Sequence, residues 1–157
     1  MLFKETAELA SKNESVKSLS GKNYFLNAGI SILPPNSKEI IDWILTYYND
    51  EENLIIQVVI SDGEVKVSEA AEPMNPSKIP LDVKKIKTND QKMLEKASAK
   101  FAEFKKPLSQ VIVLLRQEEK PFWRFSFVTK TLEVVTIEID AEKGEITKAE
   151  ASPLTKA

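Results

Sequence analysis

Between residues 110 and 151 apolar and polar residues alternate in four runs, 110–116, 122–129, 132–140 and 145–151. A period of two puts successive side chains on opposite sides of an extended chain. The connections, QEEKP, the tip at 129–131 and AEKGE, are too short for a parallel crossover, so neighbouring strands must run antiparallel. The apolar side of such a meander needs a cover. A helix expected just upstream supplies one: Thr88 or Asn89 caps it, Met93, Leu94, Ala97, Phe101 and Phe104 form its stripe, and Pro107 stops it. Lys105 and Lys106 sit at the negative end of its dipole.

The first half reads on the same plan. Leu2, Phe3, Thr6, Leu9, Ala10, Val16 and Leu19 fall at helical spacing, as one helix or two short ones over 2–19, with Gly21 at the end. Residues 24–33 read as a strand stopped by Pro34 and Pro35. Residues 54–60 form another, and SDGE turns it into Val65 and Val67 as a hairpin. Residues 36–48 are ambiguous. Asn36 and Glu39 make a capping box before Ile40, Ile41, Ile44, Leu45 and Tyr48 at helical spacing, whereas WILTYY is rich in strand formers.

Setting Trp43 on Trp123 favours the strand. Leu45 then meets Phe125 and Tyr47 meets Phe127; after a loop insertion Leu54, Ile56 and Val58 meet Val135, Ile137 and Ile139, and Gly63 meets Gly144. The match predicts an internal duplication. The expected fold class is α+β, two units that are each a helix packed on a four-stranded antiparallel meander. Unit 1 spans 1–73, a linker with room for a short strand at 81–86 spans 74–88, and unit 2 spans 89–157. Neither unit is large enough to bury a generous core alone.

At 157 residues, with 42% hydrophobic and 29% charged, the chain is expected to fold as a globular protein. It has no cysteine and no histidine, which removes disulfides, thiolate nucleophiles, imidazole bases and the usual zinc sites. The net charge of −2 is unevenly spread: residues 1–73 hold 6 Lys against 12 acids, and the remainder holds 16 basic residues against 12 acids. Opposite signs predict docking of the halves within one chain, or head-to-tail pairing of two chains as a homodimer. No apolar stretch reaches the roughly 18 residues that span a bilayer. MLFKETAELASKNE lacks the apolar core of an export signal, so the chain reads as soluble, in a compartment the sequence leaves open; an extracytoplasmic one requires a signal upstream.

The layout Trp123-x-Phe125-x-Phe127, then Val135-x-Ile137-x-Ile139-Asp140-Ala141, then Gly144-x-Ile146, resembles the end of the PepSY domain. WILTYYNDEENLIIQVVISDGEV, residues 43–65, is similar, with SDG in place of the Asp-Ala-x-x-Gly turn. The resemblance covers about 30 residues in each half. It implies a cystatin-like fold in tandem, no enzymatic activity, and an association with regulating or inhibiting peptidases.

The residues themselves offer little chemistry. The four glycines make no phosphate-binding loop, and no Ser precedes a Lys by three. NDEEN at 49–53 gathers oxygen atoms but lacks calcium-loop spacing, and reads as a solvated turn. Lys84, Lys85 and Lys87 have no interleaved aromatics, which argues against nucleic acid. Asn13-Glu14-Ser15 matches a glycosylation acceptor but falls on a helix. No metal site and no cofactor are expected. Trp43, Tyr47, Tyr48, Phe122 and Trp123 are the candidates for an interaction surface, with Tyr48 and Phe122 on the face opposite Tyr47 and Trp123. The expected function is a non-catalytic module that binds a protein, a peptidase if the resemblance extends so far, by strand addition or an aromatic patch. The alternative is a small-molecule carrier with an apolar pocket between sheet and helix. An enzyme would need Glu138 and Asp140 in an enclosed cleft with raised pKa values.

Overall fold

Phe25–Leu33 (β1) and Leu108–Gln117 (β5) lie side by side, antiparallel, from Ala28 opposite Arg116 to Leu33 opposite Val111. This ladder is the middle of the computed structural model, which describes residues 2–154. From β1 the sheet continues outward through Ile44–Asn49 (β2), Leu54–Ser61 (β3) and Glu64–Val67 (β4). From β5 it continues through Pro121–Thr129 (β6), Glu133–Asp140 (β7) and Ile146–Pro153 (β8). The order β4-β3-β2-β1-β5-β6-β7-β8 makes one antiparallel sheet of eight strands.

The expectation of two cystatin-like units, each a helix on its own four-stranded sheet, is therefore overturned. The β1–β5 ladder fuses what were to be separate sheets, and a single apolar cluster runs from Phe3 and Leu45 through Leu115 to Phe127 and Ile137. The aligned halves also pair differently. Leu45 faces Val58, but Phe125 faces Ile137 instead of Ile139, the residue the alignment sets against Val58.

Three α-helices, Phe3–Lys12 (α1), Glu14–Ser20 (α2) and Asp90–Ala102 (α3), cover one face. The stretch over 2–19 forms two helices because Asn13 leaves helical geometry, and its side chain accepts from the N–H groups of Ser15 and Val16 to cap α2. That capping role accounts for the asparagine of the glycosylation pattern. The helix predicted after Asn89 forms as expected, with the Asn89 side chain accepting from Gln91 and Lys92. Its Phe101 ring stacks on Phe127 at 4.6 Å.

Residues 36–42 adopt neither helix nor strand, and β2 begins after Trp43. No strand forms at 81–86; Val83–Lys85 makes a single 3₁₀ turn, capped by the Asp82 carboxylate on the Lys84 N–H. The linker is tied down along its length. Asn27 Nδ2 donates to the Ser77 carbonyl, Arg116 Nη1 to that of Asn75, and the Leu81 N–H to that of Leu26.

The core centres on the two tryptophans. Their rings lie 6.0 Å apart, and both indoles donate into the segment that starts α3: Trp43 Nε1 to Asp90 Oδ2 at 2.9 Å and Trp123 Nε1 to Thr88 Oγ1 at 2.7 Å. Asp90 Oδ2 also accepts from the Phe3 N–H at 2.5 Å, so one carboxylate joins the start of α1, the start of β2 and α3. Gly29, mid-strand in β1, leaves room for the Phe3 ring; a Cβ there would lie 2.8 Å from Phe3 Cδ1.

Candidate functional site

The helical layer does not close over the sheet everywhere. The break at Asn13 separates α1 from α2, and the residues that border the gap, buried Ala7 and the exposed Ser11 and Ser20, are small. A hollow of about 680 Å³ remains between the two helices, β1, β2 and the 3₁₀ turn. Its floor is apolar, made by Ala7, Val16, Leu26, Tyr47 and Val83, and its mouth carries Lys4, Lys17, Lys84 and Glu8.

Tyr47 is the unusual member. Its side chain is 8% exposed and lines the hollow, yet its hydroxyl has no hydrogen-bond partner among the described residues. The hydroxyl oxygen is not sealed from solvent, since Arg116 Nε is the one fully buried side-chain polar atom without a partner among the described residues. Burial pushes this phenol up to about 12, so it is a neutral donor throughout the physiological range. At the mouth, Glu8 is engaged by Lys12 at 3.3 Å and Lys17 lies a loose 3.8 Å from Glu14. Lys4 and Lys84 pair with no acid among the described residues. The hydroxyls of Ser11 and Ser20 are spent on the carbonyls of Glu8 and Lys17 within their own helices.

The opposite face of the sheet carries no helix among the described residues. Its centre is apolar, with Ile30, Ile32, Ile44, Val59 and Ile112 paired across four strands. Ile32 is 60% exposed, and Ile41 in the irregular segment beside it is 59% exposed. Together they flank a recess of about 310 Å³ floored by Ile30, Leu33 and Ile44. Toward β6 and β7 this face turns polar: Arg124 lies over the Phe122 ring at 5.3 Å and pairs with Glu138 at 2.6 Å.

The five aromatics singled out from the sequence are divided by this arrangement. Trp43, Trp123 and Tyr48 are interior residues, and Tyr47 opens only onto the hollow. Tyr48 does face away from the helices, but Phe25 packs edge-on to it at 5.8 Å and its hydroxyl donates to Asn53 Oδ1 at 2.8 Å, leaving it 1% exposed. Phe122 alone of the five is partly accessible, and Arg124 covers it. They do not form one patch, because alternation sends them to opposite faces.

Glu138 and Asp140 both line a recess of about 350 Å³, but Arg124 engages Glu138 at 2.6 Å and Asp140 lacks the raised pKa a general acid needs. Burial pushes Asp140 up, but the N–H groups of Lys143 and Glu142 and the charges of Lys120 and Lys143 outweigh it and hold the carboxyl below its ordinary value. At the NDEEN tip, Asn49 Oδ1 accepts from Glu51 and Glu52, so an oxygen that could face a cation is spent on the turn. No group of three or more metal-binding side chains occurs among the described residues. No helix among them is long and apolar enough to cross a membrane.

Of the hollow's lining, sequence reasoning named Tyr47 as a surface aromatic, Val16 as part of a helix stripe and Lys84 as part of a basic cluster, and did not bring them together. The available signal was the set of small residues Thr6, Ala7 and Ala10 behind Phe3 on the inner face of α1, which fill little space against the sheet.

No protein-family model matches the chain, and no curated protein matches it. A crystal structure at 1.85 Å of a candidate lipoprotein from Clostridium difficile 630 has a similar fold, with a TM-score of 0.53 at 14% sequence identity over 88% of this chain and 89% of that one. At that identity the likeness is one of fold alone.

Proposed function

We propose that this chain is a non-catalytic binding module that holds the apolar part of a small molecule in the hollow between α1, α2 and β1–β2. The observation that carries this reading is the apolar-floored hollow of about 680 Å³ itself, with the Tyr47 side chain, whose hydroxyl bonds no other described residue, in its lining. Ligand sites typically occupy roughly 300–1,000 Å³ and combine apolar walls with a few polar groups that fix orientation. An apolar occupant would take the Ala7, Val16 and Leu26 surface out of water, which favours binding.

The test is native mass spectrometry of the purified chain, followed by titration with the neutral dye N-phenyl-1-naphthylamine. Saturable fluorescence enhancement is expected, and Ser11→Trp, at the exposed lip of the hollow, should abolish it without loss of fold. Dye binding that Ser11→Trp leaves intact would refute the assignment.

A second reading, a protein-binding module, is favoured by the exposed Ile32 and Ile41 around their recess on the helix-free face. Monomeric proteins seldom leave neighbouring large apolar side chains so open. The PepSY resemblance adds a peptidase as the proposed partner. Strand addition is the weaker route, since β4 has only four residues with Lys66 among them, and β8 carries Lys148 and ends at Pro153. Ile32→Lys with Ile41→Lys should abolish capture of the partner; undiminished capture would sink this reading.

A further inference from the structure

Three lysines from three different segments converge on one apolar opening, and this sets the chemistry of the occupant. Lys4 comes from α1, Lys17 from α2 and Lys84 from the 3₁₀ turn, and they share the mouth with a single acid, Glu8, which Lys12 already engages. Residues 1–73 hold 6 Lys against 12 acids, so the placing of Lys4 and Lys17 on one rim runs against the charge of their half, and Lys84 joins them from the basic remainder. Beneath the rim the Tyr47 hydroxyl lacks a partner and the walls are Ala7, Val16 and Leu26.

We propose, resting on the ligand-binding reading above, that the hollow takes an amphipathic anion: an apolar body against the floor, a carboxylate or phosphate among Lys4, Lys17 and Lys84, and a ligand oxygen accepting the Tyr47 hydroxyl proton. A neutral apolar molecule would leave the hydroxyl unpaired and the lysines unused. A cation would meet like charge at the mouth. Buried polar groups left unpaired are the usual means by which a site rejects a near-isostere.

Displacement of N-phenyl-1-naphthylamine by dodecanoate, dodecyl phosphate, dodecan-1-ol and dodecyltrimethylammonium separates these cases. The two anions should compete about tenfold better than the alcohol, the difference expected when a charge-assisted contact replaces a neutral one. The cation should compete worst, and the ratio of carboxylate to phosphate identifies the preferred head. Lys4→Ala, Lys17→Ala and Lys84→Ala together should erase the preference for anions, read as the ratio of dodecanoate to dodecan-1-ol competition within the variant. Tyr47→Phe should weaken the oxygen-bearing ligands several-fold and spare the dye. It removes a hydroxyl with no protein partner, so its melting temperature should match that of the wild type, and a drop would show a partner and overturn that role. Equal competition by dodecanoate and dodecan-1-ol, or an anion preference that survives loss of all three lysines, would overturn the head-group assignment while the hollow stands as an apolar site. Absence of dye binding would instead remove the hollow itself.

Discussion

Asp90 keeps a carboxylate almost out of water at the start of α3, where it accepts from the Phe3 N–H and the Trp43 indole. Burial pushes its pKa above the ordinary 3.8, against the lowering effect of those two donors. Asp90→Ala would strand both donors in the core and should cost about 1–3 kcal/mol for each. Asp90→Asn keeps the shape and one acceptor, and it isolates the charge. With the folded pKa raised, the native state binds the proton more readily than the unfolded chain. The wild type's advantage over Asp90→Asn should therefore be fully present below 3.8 and shrink as pH rises through the folded value, which urea denaturation at several pH values will show. An advantage that grows with pH would contradict the burial argument. Glu133 has the opposite sign. The Lys106 ammonium at 2.8 Å holds it below its ordinary 4.5, so the stability it lends is present above 4.5 and lost as pH falls through the folded value. Gly29 is a steric case: Gly29→Ala drives a Cβ into the buried Phe3 ring, which already packs edge-on to Trp43 at 5.4 Å. Overpacking of this kind should cost about 1–3 kcal/mol in denaturant unfolding. None of these partnerships is legible in the sequence, because Phe3, Trp43 and Asp90 are brought together only by the fold.

Among the elements, the hairpin β3–β4 was the most legible. Asp62 and Gly63 have φ of 51° and 76°, the left-handed pair that a two-residue turn between twisted strands requires. No atom lies near a Cβ built on Gly63, so Gly63→Ala isolates backbone strain, and it should lower stability by about 1 kcal/mol. A neutral outcome would mean that the turn relaxes to another type. The strands β5–β8 were equally plain, since a period of two over eight residues has no helical equivalent. Residues 36–48 show the limit of local reading. Asn36 and Glu39 could start an isolated helix, but the chain from Ile44 to Asn49 pairs with β1 on one side and β3 on the other. Two ladders of hydrogen bonds outweigh a capping box worth about 1 kcal/mol. The same competition ended the prospect of a strand at 81–86, where the Leu81 N–H goes to Leu26 and Ile86 turns into the core.

For the whole molecule, a continuous sheet and a single apolar cluster predict one cooperative unfolding transition. Tryptophan fluorescence from the centre and NMR signals of β3 and β7 amides should share a midpoint in urea; two separated midpoints would restore the picture of independent units. The opposite charges of the halves do not join them, because every ion pair among the described residues stays within its own half. The joint is the β1–β5 ladder and the contact between the two tilted indoles instead. From the order of residues alone came the helices, most strand positions, the tight turn and the exclusion of thiol and imidazole chemistry, since each depends on periodicity or residue type within about a dozen positions. Tertiary structure decided that the strands form one sheet, that four of the five candidate aromatics lie inside, and that a hollow remains beneath α1 and α2. Those outcomes depend on which faces meet and how well they fill the space between them, a property of distant surfaces that no local pattern encodes.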